Sequence, residues 1–180
     1  MNRIDFNKYN RILGIFTGIL SFVVFALTVE PTASYWDCAE YISTSAKLQI
    51  GHPPGAPLFQ MLGAIFSIFA LELNQIAYAV NMMSVLSSAL TIVFLFWSIS
   101  LIGKEILGLT NSLKIDQAIK VFGSSFLGSI SFTFTDSFWF NAVEAEVYAM
   151  ATLILAILFW LGLKWVHDFG KARSEKWLVL

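Results

Sequence analysis

The chain has 180 residues, a formal net charge of −1 and only 13% charged residues against 57% hydrophobic ones, with a mean hydropathy of +0.73. A soluble domain carries roughly 25% charged residues to dress its surface, about twice the supply here, so the composition is that of an integral membrane protein. The near-zero charge and the lack of a Gly-rich phosphate loop exclude a basic nucleic-acid binder, and the single Cys38 excludes an intrachain disulfide.

Ile12–Val29 is an eighteen-residue uncharged run, long enough to cross hydrocarbon as a helix. Arg3, Lys8 and Arg11 precede it as in a signal peptide. The run exceeds a signal h-region of about 7–15 residues, and no small-x-small cleavage site follows, so it reads as an uncleaved first span over 12–29. Further spans are expected over 80–102, 118–135 and 147–164, and Trp177 to Leu180 begins a fifth apolar run. Gly123, Gly128 and the serines between them suggest close helix approach in the third span, and Phe94-Leu95-Phe96-Trp97 reads as packing material.

Leu58–Leu71 is fourteen residues, short for a span. If it does not cross, Arg3, Lys8, Arg11, Lys104, Lys114, Lys120, Lys164, Lys171, Arg173 and Lys176 share one side and only Lys47 lies on the other, a split of 10 to 1. If it crosses, the split is 3 to 8. The positive-inside rule therefore favours a re-entrant or interfacial helix, with the amino terminus cytoplasmic. The outer loops are then 30–79 and 136–146, and Glu30, Asp37, Glu40, Glu72, Asp136, Glu144 and Glu146 gather outside.

Ser34 and Asp37 have capping-box spacing, with Asp in place of the usual Glu. On a helix starting at Tyr35, the residues Tyr35, Ala39, Ile42, Ala46 and Ile50 share one face, while Asp37, Glu40, Thr44 and Lys47 line another within roughly 80°. This predicts an amphipathic helix lying on the outer membrane surface. Gly51-His52-Pro53-Pro54-Gly55-Ala56-Pro57 ends it in a turn no helix can run through. Two readings of Asp37 stand side by side. It caps its own helix with Glu40 solvated, or the two carboxylates form an acid/base site at the lipid boundary.

The run Ser34-Tyr35-Trp36-Asp37-Cys38-Ala39-Glu40-Tyr41, followed by Gly51-His52-Pro53-Pro54-Gly55-Ala56-Pro57-Leu58-Phe59, resembles the membrane family once filed as domain of unknown function 2723, which includes the transmembrane protein 260-like O-mannosyltransferases. Asp136-Ser137-Phe138-Trp139-Phe140-Asn141-Ala142-Val143-Glu144-Ala145-Glu146-Val147-Tyr148 is similar to that family's second outer loop. The resemblance covers essentially the whole chain and implies the amino-terminal part of a longer GT-C type glycosyltransferase, an all-α integral membrane bundle in a bacterial inner membrane with its site on the periplasmic side. It further implies transfer of mannose or another hexose from a polyprenyl-phosphate carrier to a secreted or surface acceptor protein, with Asp37, just after the first span, as the essential acid. No cofactor beyond the lipid-linked donor is expected, and isolated activity of these 180 residues is not.

Such a transfer needs a base for a hydroxyl proton, a role that falls to Asp37. It also needs cationic or hydrogen-bonding partners for the leaving phosphate, for which Lys47 and His52 are available. Lys47 has the alternative of snorkelling to headgroups, and His52 of stabilising its turn. Glu144 and Glu146, placed on one helix, diverge by roughly 160°, so at most one would face a shared cleft. Glu146, in the Glu-Val-Tyr position of the family pattern, is the candidate, against the alternative of a solvated interface carboxylate. Glu40, Glu146 and Asp136 are conceivable oxygen ligands for a divalent ion, but their spacing does not demand one and no metal is expected. Trp36, Tyr41, Trp139, Phe140 and Tyr148 form an aromatic belt, with Trp36 and Tyr148 the candidates to stack on sugar. A transporter piece would carry charge at mid-membrane, which these spans lack, and a noncatalytic scaffold would use Asp37 for stability alone.

Overall fold

The computed structural model describes residues 3–170 and 174–179. Lys171, Arg173 and Leu180, which figure in the charge balance and the fifth apolar run, lie outside the described residues. The order is β1 (Ile4–Asp5), α1 (Phe6–Leu27), α2 (Cys38–Lys47), α3 (Pro57–Ser67), a 3₁₀ turn (Leu73–Gln75), α4 (Ile76–Ile106), β2 (Ser112–Leu113), α5 (Ile115–Thr133), α6 (Asp136–Ala142), α7 (Val147–Asp168) and α8 (Lys176–Val179). The architecture is all-α apart from the two-residue antiparallel pair β1–β2, which pins the start of α1 beside the entry to α5.

Among the described residues, three helical stretches are long and apolar enough to cross a membrane, Phe6–Leu27, Leu73–Ile106 and Val147–Asp168. Twenty-two residues of helix rise about 33 Å, which matches a hydrocarbon core of about 30 Å. The chain is a multi-pass integral membrane protein. The first helix starts before the apolar run because Asp5 accepts a hydrogen bond from the Lys8 amide at 2.7 Å and caps it. Lys8 and Arg11 therefore belong to the helix, one turn apart near its basic end.

The central helix is α4, antiparallel to α1 and parallel to α7. Trp97 Nε1 donates to the Asn10 carbonyl at 3.1 Å and Ser100 Oγ to Asn10 Oδ1 at 2.6 Å, joining the end of α4 to the start of α1. Gly14 and Gly18, one turn apart on α1, make this approach possible. A Cβ at Gly14 would overlap the Trp97 indole, and one at Gly18 would overlap the Val93 side chain. The close approach expected at Gly123 is absent, since a Cβ there meets open space, whereas a Cβ at Gly128 would lie 3.1 Å from Ile99 of α4. Less apolar than the three long helices, α5 runs parallel to α1 along its length, from the Phe6–Phe122 ring stack at 5.6 Å to the Ser21–Thr133 hydroxyl pair at 3.0 Å.

Helices α2 and α3 form a hairpin on the start of α4. At eleven residues, about 16 Å, α3 is too short to cross the bilayer. Gly63 lets the hairpin close, because a Cβ there would lie 2.8 Å from Ser45 Cβ. The buried stripe of α2 is Cys38, Ile42 and Ser45, packed with Phe59, Val80 and Met83. This differs from the face expected from a start at Tyr35. The helix begins three residues later, and Tyr35, Trp36 and Ile50 are left exposed. Hence α2 does not merely float on a membrane surface but is bolted to α3 and α4.

This arrangement separates charge. Lys8, Arg11, Lys104, Lys114, Lys120 and Lys164 lie where α1 and α5 begin and α4 and α7 end. The opposite end carries the 28–75 segment, α6 and the approach to α7, with Asp37, Glu40, Glu144 and Glu146.

Candidate active site

The segment after α1 is held by buried amide chemistry. Asn81, fully buried on α4, donates from Nδ2 to the carbonyls of Glu30 at 2.6 Å and Thr32 at 2.9 Å. The Glu30 amide donates to the Val143 carbonyl at 2.9 Å, tying the first outer segment to the second. The chain then passes Trp36 in the left-handed region at φ 59°, which throws its indole outward and turns Asp37 into the first turn of α2.

The expected Ser34–Asp37 capping box does not form. Asp37 occupies the N-cap position with φ −83° and ψ −2°, a helical conformation from which its side chain makes no capping hydrogen bond. Ser34 instead donates its hydroxyl to Glu144 Oε2. The carboxylate of Asp37 is therefore left to the site, with its Oδ2 3.8 Å from His52 Nε2. The other ring nitrogen, Nδ1, lies 2.9 Å from Glu40 Oε2, and the His52 amide donates to Glu40 Oε1 at 2.6 Å. One turn of α2 and the Pro-rich turn thus make a Glu40–His52–Asp37 relay. Gly51 permits it, since a Cβ there would press on Glu40 Oε1 at 3.0 Å and Gln60 Nε2 at 2.9 Å. The two hydrogen bonds from His52 hold the Glu40 carboxyl below its usual range. The same bond and the charges of Glu40 and Asp37 raise His52 above the ordinary imidazole value.

Glu144 and Glu146 do not diverge as they would on one helix. They precede α7 in irregular backbone, joined by a hydrogen bond from the Glu146 amide to the Glu144 carbonyl at 2.9 Å, and both are buried. Both line one cavity of about 290 Å³ with Trp36, Asp37, Phe140, Asn141 and Tyr148. A neighbouring cavity of about 470 Å³ shares Phe140 and Glu144 and extends along Glu30, Ser34 and Tyr35. Burial pushes the Glu144 carboxyl up, opposed by the Ser34 hydrogen bond. Burial, then the charges of Glu144 and Asp37, push Glu146 up to about 7. The cavity thus sets beside Asp37 a carboxyl that changes protonation near neutrality.

Of the expected site residues, Asp37, Glu146, Trp36 and Tyr148 meet in this cavity, and Glu40 and His52 stand behind Asp37. Lys47 is not brought to them. It lies in the exposed last turn of α2, about 15 Å along the helix from Asp37 by rise alone, where a cation suits the helix dipole. Tyr41 packs on Phe59 at 5.3 Å, and Trp139 packs on Phe25 at 5.6 Å. Asp136 opens α6 and does not line the cavity. Hence the oxygen set Glu40, Glu146 and Asp136 does not converge. Among the described residues, the atoms that do converge as metal ligands would are those of Asp37, Glu40 and His52, all within 4.8 Å of one another, and the short His52–Glu40 hydrogen bond occupies two of them. The sequence reading sets Glu144 aside in favour of Glu146 on the premise that both ride one helix, and it does not place Asn81, whose signal is an Asn in an otherwise apolar run, among the site residues.

Helices long and apolar enough to cross a membrane, with a carboxylate- and aromatic-lined cavity at one end of the bundle, define a polytopic α-helical membrane protein. Residues 37–180, more than half of the chain, match the family model described as Protein O-mannosyl-transferase TMEM260 N-terminal domain, and the chain belongs to that family. It is 27% identical over 142 residues to "Protein O-mannosyl-transferase tmem260" of Dictyostelium discoideum, covering 78% of this chain and 15% of that protein. It is 26% identical over 153 residues to "Protein O-mannosyl-transferase TMEM260" of Mus musculus, covering 84% of this chain and 19% of that protein. The chain thus spans less than a fifth of the length of these two curated relatives. No solved structure matches it.

Proposed function

We propose that this chain is the amino-terminal membrane module of a protein O-mannosyltransferase, and that Asp37 is its general base. The reading rests above all on one observation, the meeting of Asp37 and Glu146, from separate outer segments, in a single aromatic-lined cavity at the end of the bundle opposite the basic residues. The names of its relatives supply the reaction class.

In this mechanism the acceptor Ser or Thr hydroxyl enters the cavity and hydrogen-bonds to Asp37. Its oxygen attacks C1 of a mannosyl group carried on polyprenyl phosphate. The hydroxyl proton passes to the Asp37 carboxylate as the new C1–O bond forms, the old C1–O bond breaks, and the electron pair leaves with the polyprenyl phosphate. His52, whose protonated form Glu40 favours, is the cation available to the departing phosphate, a part that Lys47 is too remote to share. Trp36 and Tyr148, both exposed on the cavity rim, offer ring faces to the sugar. Glu146 in its protonated form donates a hydrogen bond to a sugar hydroxyl and avoids repelling the ionised Asp37. The module needs no cofactor beyond the lipid-linked donor. With the amino terminus cytoplasmic, α5 is a fourth crossing and the site faces the extracytoplasmic side, the periplasm of a bacterial cell.

The test is reconstitution of the full-length protein in liposomes with a secreted acceptor protein and two donors, polyprenyl-phosphate mannose and nucleotide-linked mannose. Transfer from the lipid-linked donor alone is the expected result. Transfer from the nucleotide sugar alone would overturn the donor class, and transfer from neither would remove the enzymatic reading.

A further inference from the structure

A further cavity lies at the other end of the bundle from the carboxylates. It measures about 570 Å³ and opens between the start of α1 and the ends of α4 and α7. Arg11, Lys104 and Lys164 line it, together with His167, Asn7 and Asn10. Three cations and two amides thus surround one space, and no carboxylate is among the residues that line it. Two acids stand behind the lining His167: Glu105 Oε1 lies 2.6 Å from its Nδ1, and Asp168, whose Oδ1 is 3.9 Å from its Nε2, also accepts from Trp177 Nε1 at 2.8 Å through Oδ2.

Two of the cations, Lys104 and Lys164, are held in place, while Arg11 is exposed at the rim. Lys104 is buried, with its Nζ donating to Asn111 Oδ1 at 2.7 Å and seated 4.8 Å from the Phe6 ring centroid. Lys164 lies 4.9 Å from the ring centroid of Trp177. Asn10 is fixed from the other side by Trp97 and Ser100. Below this polar rim the wall turns apolar, with Ile15 and the Trp97–Trp160 pair, whose centroids are 5.6 Å apart. A basic rim over an aromatic wall, at the ends of membrane-crossing helices, matches a ligand that is anionic at its head and apolar below it.

We propose that this cavity binds the headgroup of an anionic glycerophospholipid. The phosphodiester meets Arg11, Lys104 and Lys164, and an acyl chain descends past Ile15 and Trp160. A guanidinium and two ammonium groups together favour a doubly charged or glycerol-bearing head over a zwitterionic one, whose own cation they would repel.

The experiment uses the purified full-length protein in neutral detergent and short-chain dioctanoyl lipids. Saturable binding of dioctanoyl phosphatidylglycerol and a raised melting temperature are expected. Dioctanoyl phosphatidylcholine and inorganic phosphate at equal concentration should give neither. The double variant Arg11→Gln/Lys164→Gln should bind phosphatidylglycerol at least tenfold more weakly. The variant Lys8→Gln/Lys114→Gln removes the same charge outside the cavity and should bind like the wild type, which separates the site from bulk electrostatics and from misfolding. Equal binding of the two lipids, equal losses in the two double variants, or full competition by inorganic phosphate would each overturn the proposal.

Discussion

Replacing Glu146 with Gln removes a titrating group from the cavity while keeping its size and hydrogen-bonding capacity. The wild-type carboxyl is raised from the ordinary 4.5 to about 7, first by burial and then by the charges of Glu144 and Asp37. A carboxyl raised on folding adds stability in full below its unfolded value, and that stability is lost as pH rises through the folded value. At about 1.4 kcal/mol for each pH unit, the interval from 4.5 to about 7 corresponds to about 3 kcal/mol in all. About 2 kcal/mol of it falls between pH 5.5 and pH 8.5 by the same linkage. Wild type should therefore lose about 2 kcal/mol relative to Glu146→Gln over that range, since groups remote from the cavity titrate alike in both and cancel. The assay is unfolding of the two full-length proteins in detergent at several pH values. Parallel pH profiles would show that Glu146 ionises as a solvated carboxylate, and the cavity chemistry derived from its burial would fail.

The anchor at Asn81 predicts that Asn81→Leu, with the same heavy-atom branching but no polar atoms, loses two buried hydrogen bonds and destabilises the protein by about 2–3 kcal/mol. Thermal unfolding measures the loss, and a cost below about 0.5 kcal/mol would mean that Glu30 and Thr32 are held by other contacts. The relay behind Asp37 predicts a pH effect with a definite sign. Glu40 raises the His52 value, so Glu40→Gln should lower it and move the alkaline limb of kcat/KM for mannosyl transfer to lower pH. An alkaline limb that stays in place would separate His52 from the reaction.

The membrane class and long helices were legible because an uncharged run of eighteen or more residues has few other uses. The gathering of acids at one end was legible from the asymmetry of Lys and Arg. Helix ends were less so. At Asp5 a capping carboxylate extends α1 backwards past two basic residues, and at Trp36 a positive φ delays α2 and breaks the face pattern drawn from Tyr35. The Gly14–Gly18 pair, hidden among apolar neighbours, does the work expected of Gly123, because only the partner helix reveals which glycine is touched. The site was half legible. Asp37, Glu40 and His52 are near in sequence, with a turn between them that brings His52 back. The pairing of Ser34 with Glu144 joins residues 110 apart, and the convergence of Glu144 with Glu146 depends on their preceding α7 instead of riding on it. Periodicity does not apply where backbone is irregular.

The account turns on Asp37. Because its side chain makes no cap, Asp37→Asn should leave folding intact and strike the chemistry alone. The decisive measurement is mannosyl transfer by full-length wild type and Asp37→Asn, with melting temperature and membrane insertion matched in both. The account predicts equal insertion and stability with kcat reduced by about 10²-fold or more. Transfer near the wild-type rate at equal insertion would contradict it.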